Sequence, residues 1–420
     1  IRTFYEGNQY MLFVTETFTD VRLVGAPPTA IGKFGSDTDN WVWPRHTGDF
    51  SLFRIYADKN NRPAKYSKDN VPYTPKHFLP ISLDGVAEDD FTLVFGYPGK
   101  TNEYLPSIAI EQIINELNPA KIEIRDKALK VADGFMRKDN AIKIQYASKY
   151  ASIANYWKKW IGETQGLKKS NAVAVKRETE KAFQQKIAKT GKEKEYGTLL
   201  ADFDKNYTEI APYAVARDYF TEIVLRNTEL LSMGYKLYQL EQVYKSRGEQ
   251  AFTDRKNNLI NGLADFYKNF NATVDEKVFE QLIELYAAKS PKQFLPQGLT
   301  NVNAKNLASE IYTKSKLKNY AGLKELLSGD AKTVLSNLNT DPGFLLVKEL
   351  ADIYSKEVAP KYDEINLKIT ALQRTYMKAQ LELNTESRIF PDANSTLRVT
   401  YGKVKGYEPK DATIYTPITY

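Results

Sequence analysis

Two changes of texture divide the chain, and they restrict its fold more than any other feature. Residues 1–110 carry short runs of strand-type residues, among them "QYMLFVTETF", "DVRLVG", "DFSLFRIYAD" and "FTLVFGYPG". In the third run Phe50, Leu52 and Arg54 alternate with Ser51, Phe53 and Ile55, the period of two that a strand imposes. Turn formers crowd between the runs: Pro27-Pro28, Pro44, Asn60-Asn61, Pro72, Pro75 and Pro80. Closely spaced short strands of this kind suit a barrel or a sandwich.

Near Ile110 the period becomes helical and stays so to about Glu386. Ile223, Leu230, Leu237 and Tyr244 recur at seven, with Met233 and Leu240 between them. Ile365, Ile369, Leu372, Tyr376, Ala379 and Leu383 recur at three and four. Breaks are expected near Gly166, Gly191, Pro212, Pro291 and Pro360, giving roughly eight to ten helices of ordinary length. The tail, with "STLRVTYGKV", returns to strand-type residues. The order β, helical, β predicts an α+β chain in which a helical domain, 111–386, is inserted into a β-domain built from 1–110 and 387–420. The second β part is so short that the β-domain reads as unfinished.

Composition removes several functions. The chain has no Cys, which excludes thiol catalysis, thiolate metal sites and disulfides. With only two His and no Cys, the usual ligand set for zinc is missing. Mean hydropathy is −0.49 and no apolar run approaches ~18 residues, so no membrane span is expected. The net charge of +7 looks interspersed and reads as solubility rather than as a nucleic-acid footprint. The charge-rich run "VKRETEKAFQQKIAKTGKEKE" reads as a solvated helix face.

Several local motifs fail on their spacing. "GYPGKT" at Gly96–Thr101 suggests a phosphate loop, but Val94 stands where that motif needs its first Gly. "SDTDNW" at Ser36–Trp41 offers Asp37 and Asp39 as a calcium loop would, yet Val42 and Gly48 occupy the required Gly and Glu positions. His77, between prolines, has no evident partner. His46 sits three residues before Asp49, but no G-x-S-x-G nucleophile turn exists anywhere in the chain.

The stretch "DNWVWPRHTGDFSLFRIYAD", residues 39–58, concentrates costly residue types in one turn before a strand. It resembles the segment around the catalytic Asp of the bacterial serine dipeptidyl peptidases of the dipeptidyl-peptidase 7 and 11 family, serine peptidase family 46. The likeness extends to "QYMLFVTETF", "FTDVRLVGAPPTAIGKFG", "TLVFGYPGKTNEYLPS", "YASKYASIANYWKKWIGE" and "FPDANSTLRVTYGKVKGY", in the same order. Between Glu163 and Glu386 only the helical texture agrees.

The resemblance implies a chymotrypsin-like double β-barrel, incomplete here, with a large inserted α-helical cap. It implies an aminopeptidase that releases dipeptides from free N-termini, without a cofactor. Asp49 matches the triad Asp; the family's His and Ser fall outside residues 1–420, so the chain is expected to be the middle of a longer enzyme. Asn40, Trp41 and Asn155 match positions that grip the substrate's α-amino group. Trp43, Arg45 and His46 are assigned to holding the turn in shape. A homodimer acting on oligopeptides, in the periplasm or at the surface of a Gram-negative bacterium, is likewise implied. A second reading stays open, a non-catalytic peptide-binding scaffold with a helical domain.

Overall fold

The structure is a computed structural model and describes residues 1–35, 43–44, 46–384 and 388–418. The chain divides into two compact units, residues 1–103 with 390–420, and residues 104–389.

The first unit is a set of short antiparallel sheets. β1 (Arg2–Phe4) pairs with β2 (Gln9–Met11), so the run around Tyr10 yields a much shorter strand than its composition suggests. β3 (Val21–Gly25) is followed by one helical turn, α1 (Thr29–Gly32). β4 (Leu52–Ala57) lies between β3 and β5 (Val71–Pro72), with Val21 opposite Ile55 and an irregularity before Gly25. The end of β4 is a side-chain-closed turn, because Asp58 Oδ1 accepts from the backbone N–H groups of Asn60 and Arg62 at 2.8 and 2.9 Å.

β6 (Phe91–Gly96) pairs along its whole length with β7 (Arg398–Lys403), Phe91 opposite Lys403 and Gly96 opposite Arg398. The chain therefore leaves for the helical unit and returns from it on neighbouring strands. The junction is tied. Asp392 Oδ1 accepts from Thr101 Oγ1 at 2.6 Å and from the Glu103 N–H at 2.8 Å, and the Ser395 N–H donates to the Pro98 carbonyl at 2.9 Å. β8 (Tyr407–Lys410) and β9 (Thr413–Tyr415) form a final hairpin.

No sheet among the described residues closes on itself. The apolar side chains of β4 and β6 stay in solvent on both faces: Leu52, Phe53, Ile55, Leu93, Val94 and Phe95 are all exposed. Among the described residues of this unit, only Phe4, Ala57 and Ala393 are buried apolar residues.

The second unit is helical. It runs through α2 (Ser107–Gln112), α3 (Asn118–Met136), α4 (Asn140–Lys169), α5 (Ala172–Thr190), α6 (Glu193–Tyr196), α7 (Leu199–Tyr219) and α8 (Glu229–Lys268). It continues with α9 (Ala272–Lys289), α10 (Ala304–Lys314), α11 (Tyr320–Leu326), α12 (Ala331–Leu338), α13 (Pro342–Ile353) and α14 (Ala359–Leu383). Side-chain caps start many of them, as at Asp139, Asn271, Asp330 and Asp341.

The seven-residue repeat does mark core. Ile223, Leu230, Met233, Leu237 and Leu240 are buried in one cluster, and Ile365, Ile369, Tyr376 and Ala379 in a second. The expected breaks fare unevenly. Gly191 ends α5 in the left-handed region, φ 68°, and Pro291 follows α9. Gly166 and Pro212 lie inside α4 and α7 instead. Pro360 falls in the first turn of α14, directly after the π-helical turn Tyr354–Val358 rather than at a chain break. Among the described residues three π-helical segments occur, which period counting did not foresee: Ile113–Leu117 leads into α3 and Tyr354–Val358 into α14, while Phe220–Asn227 extends α7 and ends at the extended Thr228. No described helix is long and apolar enough to cross a membrane.

Candidate active site

The turn before β4 is fastened to the chain around α1. Thr47 Oγ1 donates to the Phe34 carbonyl at 2.8 Å, and the Gly48 N–H donates to the Ile31 carbonyl at 3.1 Å. The His46 ring meets Phe34 edge-on at 6.3 Å between centroids. A Cβ on Gly48 would lie 2.9 Å from Ile31 Cγ2, so this approach requires glycine. The chain then emerges at Asp49, three residues before β4. Asp49 is exposed, and its carboxylate makes no hydrogen bond or ion pair with a described residue. A carboxylate presented on a pinned turn with its acceptor sites open can orient a partner's N–H.

His46 is turned to Phe34 and makes no bond to Asp49. Trp43 is half-buried. Asn40, Trp41 and Arg45 lie outside the described residues, as do the acidic positions of the calcium-loop candidate. The phosphate-loop candidate places Gly96 at the end of β6, but the next helix begins only at Ser107. His77 is exposed.

Asn155 belongs to the other unit, exposed on α4. The turn that carries it is held from behind by a buried ion pair. Arg125 Nε donates to Glu222 Oε2 at 2.6 Å and Arg125 Nη2 to Glu222 Oε1 at 3.2 Å. Arg125 Nη1 donates to the Ile153 carbonyl at 3.1 Å. Its guanidinium also lies over the rings of Tyr156 and Trp160, at 5.3 and 4.8 Å. Asn227 Nδ2 donates to the backbone carbonyl of Glu222 at 2.7 Å and to its Oε2 at 3.2 Å, fixing the π-helical segment on the far side. These groups line a cavity of about 480 Å³ with Tyr146, Lys149 and Glu229. The pair joins residues 97 apart in sequence, so no local pattern announces it.

The neighbouring start of α8 rests on Asp275. Its carboxylate accepts from the N–H groups of Glu229 and Leu230 at 2.8 and 2.9 Å and from Tyr312 Oη at 2.6 Å. Burial pushes its pKa up, and the negative Glu229 adds to this; the three hydrogen bonds oppose it without reversing it. The folded protein thus keeps this proton above the pH at which the unfolded chain, near the ordinary carboxyl value of about 4, has lost it. Stability is expected to fall as pH rises from that value towards the raised one. Asp275→Asn should flatten the slope of Tm against pH over that range while lowering Tm at every pH. An unchanged slope in the variant would remove Asp275 as the cause.

Comparison with known proteins gives one consistent family. The Peptidase S46 model matches residues 1–420. An Asp/Glu-specific dipeptidyl-peptidase of Flavobacterium psychrophilum is 74% identical over 420 residues, all of this chain and 59% of that protein. A protein of the same name from Capnocytophaga gingivalis is 58% identical over the same share. Dipeptidyl-peptidase 7 of Porphyromonas gingivalis is 35% identical over 430 residues, 99% of this chain and 58% of that protein. Among solved structures, DPP11 of Porphyromonas endodontalis in complex with the dipeptide Arg-Asp superposes with a TM-score of 0.83 at 32% identity, covering 99% of this chain and 59% of that one. The chain therefore spans about three-fifths of the length of these relatives.

Proposed function

Because the chain belongs to the Peptidase S46 family, we propose that the full-length protein is a serine-type dipeptidyl peptidase that cuts dipeptides from free peptide N-termini. The observation that carries this is the 74% identity over all 420 residues to an Asp/Glu-specific dipeptidyl-peptidase. The same likeness, with the 58% identical relative of that name, supports Asp or Glu as the second substrate residue.

In this reading Asp49 is the triad acid. It would orient a His and stabilise the imidazolium formed as a Ser gives up its proton. Both partners are assigned to the remaining two-fifths of the relatives' length, since neither His46 nor His77 bonds Asp49. The apolar faces left open on β4 and β6 support the same assignment, because a double β-barrel would bury them.

Asn40, Trp41 and Asn155 grip the substrate's α-amino group. That amine has a pKa near ~8 and is largely protonated at neutral pH. A carboxamide oxygen accepts its hydrogen bond, and an indole face attracts it by roughly 0.5–2 kcal/mol. Trp43, Arg45 and His46 hold the turn. A homodimer exported to the periplasm or cell surface completes the reading.

The test is a pair of fluorogenic peptides with an acidic second residue, one with a free N-terminus and one acetylated. Only the free one should be cleaved by the full-length protein. Equal cleavage of both would end the amine-clamp assignment, and cleavage of neither would end the peptidase assignment.

A further inference from the structure

The net charge is not interspersed after all. α4, α5 and the two residues joining them, residues 140–190, hold eleven Lys and Arg against three Glu, a net of +8 in a chain whose total is +7. The rest of the protein is close to neutral. Of the three Glu, Glu180 is buried and spends both oxygens on Ser107, and Glu163 accepts from Asn118 Nδ2 at 2.9 Å. Some of the cations are committed too: Lys149 to Glu229 and Arg177 to Glu111. Six others are not. Lys159, Lys168, Lys169, Lys181, Lys186 and Lys189 are exposed, and no side-chain hydrogen bond or ion pair holds them among the described residues.

Solvating a helix does not require this. α14 solves that problem with mixed charge, pairing Lys361 and Lys368 with Glu364 and Lys378 with Glu382. On α4 and α5 only Glu163, four residues after Lys159, and Glu178, three before Lys181, stand at pairing distance from these six lysines, and neither forms an ion pair with them among the described residues, so the like charges of the segment repel one another. On α5 Lys181 and Lys189 occupy the side away from Phe183 and Ile187, which are buried, and Lys186 stands at the border of that buried face. On α4, Lys159 stands one turn beyond Asn155, on the same helix face.

We propose that the α4–α5 hairpin is a docking surface for acidic peptides, holding carboxylates of the substrate chain beyond its first two residues. This rests on the reading above, in which Asn155 receives the substrate's amine and the substrates are acidic. The α4 helix is ~45 Å long at 1.5 Å per residue, so it can follow many residues of an extended peptide. Its potential reaches about 8 Å at physiological ionic strength. An anionic lipid surface would be drawn by the same lysines; the neighbouring Asn155 favours the peptide.

The test compares two peptides of equal length with the same two N-terminal residues and a free N-terminus, one continuing with three Glu and the other with three Gln. On the full-length protein at low salt, kcat/KM for the Glu peptide should exceed that for the Gln peptide by about tenfold. The ratio should collapse towards one at high salt, as the screening length falls to a few Å. The triple variant Lys181→Gln, Lys186→Gln, Lys189→Gln should lose most of the ratio at low salt, with circular dichroism unchanged. A ratio that ignores salt, or survives in the triple variant, overturns the proposal. So does binding to phosphatidylglycerol vesicles that the triple variant loses while its peptide ratio stays intact. If neither peptide is cleaved, the peptidase reading has failed separately. Fluorescence anisotropy of the two labelled peptides on the protein then decides docking, with equal binding of both peptides counting against it.

Discussion

Asp49→Asn in the full-length protein is expected to lower kcat by about 10⁴ on a dipeptidyl substrate with a free N-terminus. The melting temperature should not move. That combination follows from the structure. The Asp49 carboxylate is exposed and bonds nothing among the described residues, so removing its charge breaks no contact that holds the turn. The turn is held by Thr47, Gly48 and Ile31 instead. An Asn at this position would offer an N–H where the His needs an acceptor and would favour the wrong tautomer. A folded Asp49→Asn enzyme that keeps more than a tenth of its turnover would remove Asp49 from the triad. A large loss of stability would show instead that the residue is structural.

Arg125→Met is expected to destabilise the helical unit by about 3–5 kcal/mol, because it leaves Glu222 buried without its counter-charge. Arg125 and Glu222 have side-chain exposures of only 8% and 7%, so solvent cannot replace the missing partner. The double variant Arg125→Met, Glu222→Leu should recover much of the loss, since it removes both desolvated charges and keeps apolar volume. Urea unfolding followed by circular dichroism of the helices measures both. A single variant costing less than about 1 kcal/mol would place the pair among ordinary surface bridges. Activity adds a second readout. Arg125 fixes the Ile153 carbonyl two residues before Asn155, so any folded fraction should show a raised KM, with kcat affected less.

Local pattern and long-range contact explain which features could be read from sequence. The alternation in "DFSLFRIYAD" located β4, the apolar run in "FTLVFGYPG" located β6 and the strand-type residues of "STLRVTYGKV" located β7, because strand period and turn residues act within a few positions. The heptad-like spacing from Ile223 to Leu240 marked core for the same reason. Pro212 misled because its place in α7 depends on the whole helix rather than on its neighbours, and tertiary packing tolerates the lost hydrogen bond. The Arg125–Glu222 pair and the Asp275 cap join distant segments and leave no local trace. For the candidate site, Asp49 was singled out by a family likeness; as an exposed Asp at a turn it would have passed for a turn former. The charge asymmetry of residues 140–190 needed only counting, but its meaning depended on knowing which lysines lack partners.

The pairing of β6 with β7 has a consequence for how the chain is made. Thr101 and Asp392, which tie the junction, are 291 residues apart. At ~5–20 residues per second of synthesis, β6 leaves the ribosome many seconds before β7 exists. During that interval Leu93, Val94 and Phe95 present an unpaired apolar edge, the kind that invites wrong pairing. The helical unit has apolar clusters of its own and can fold in the meantime. Closing the strand pair afterwards is far cheaper than closing a free loop, whose entropy cost grows with the logarithm of its length. The helices thus act as an internal tether during biogenesis, and damage to their core is expected to appear first as aggregation of the nascent β segment.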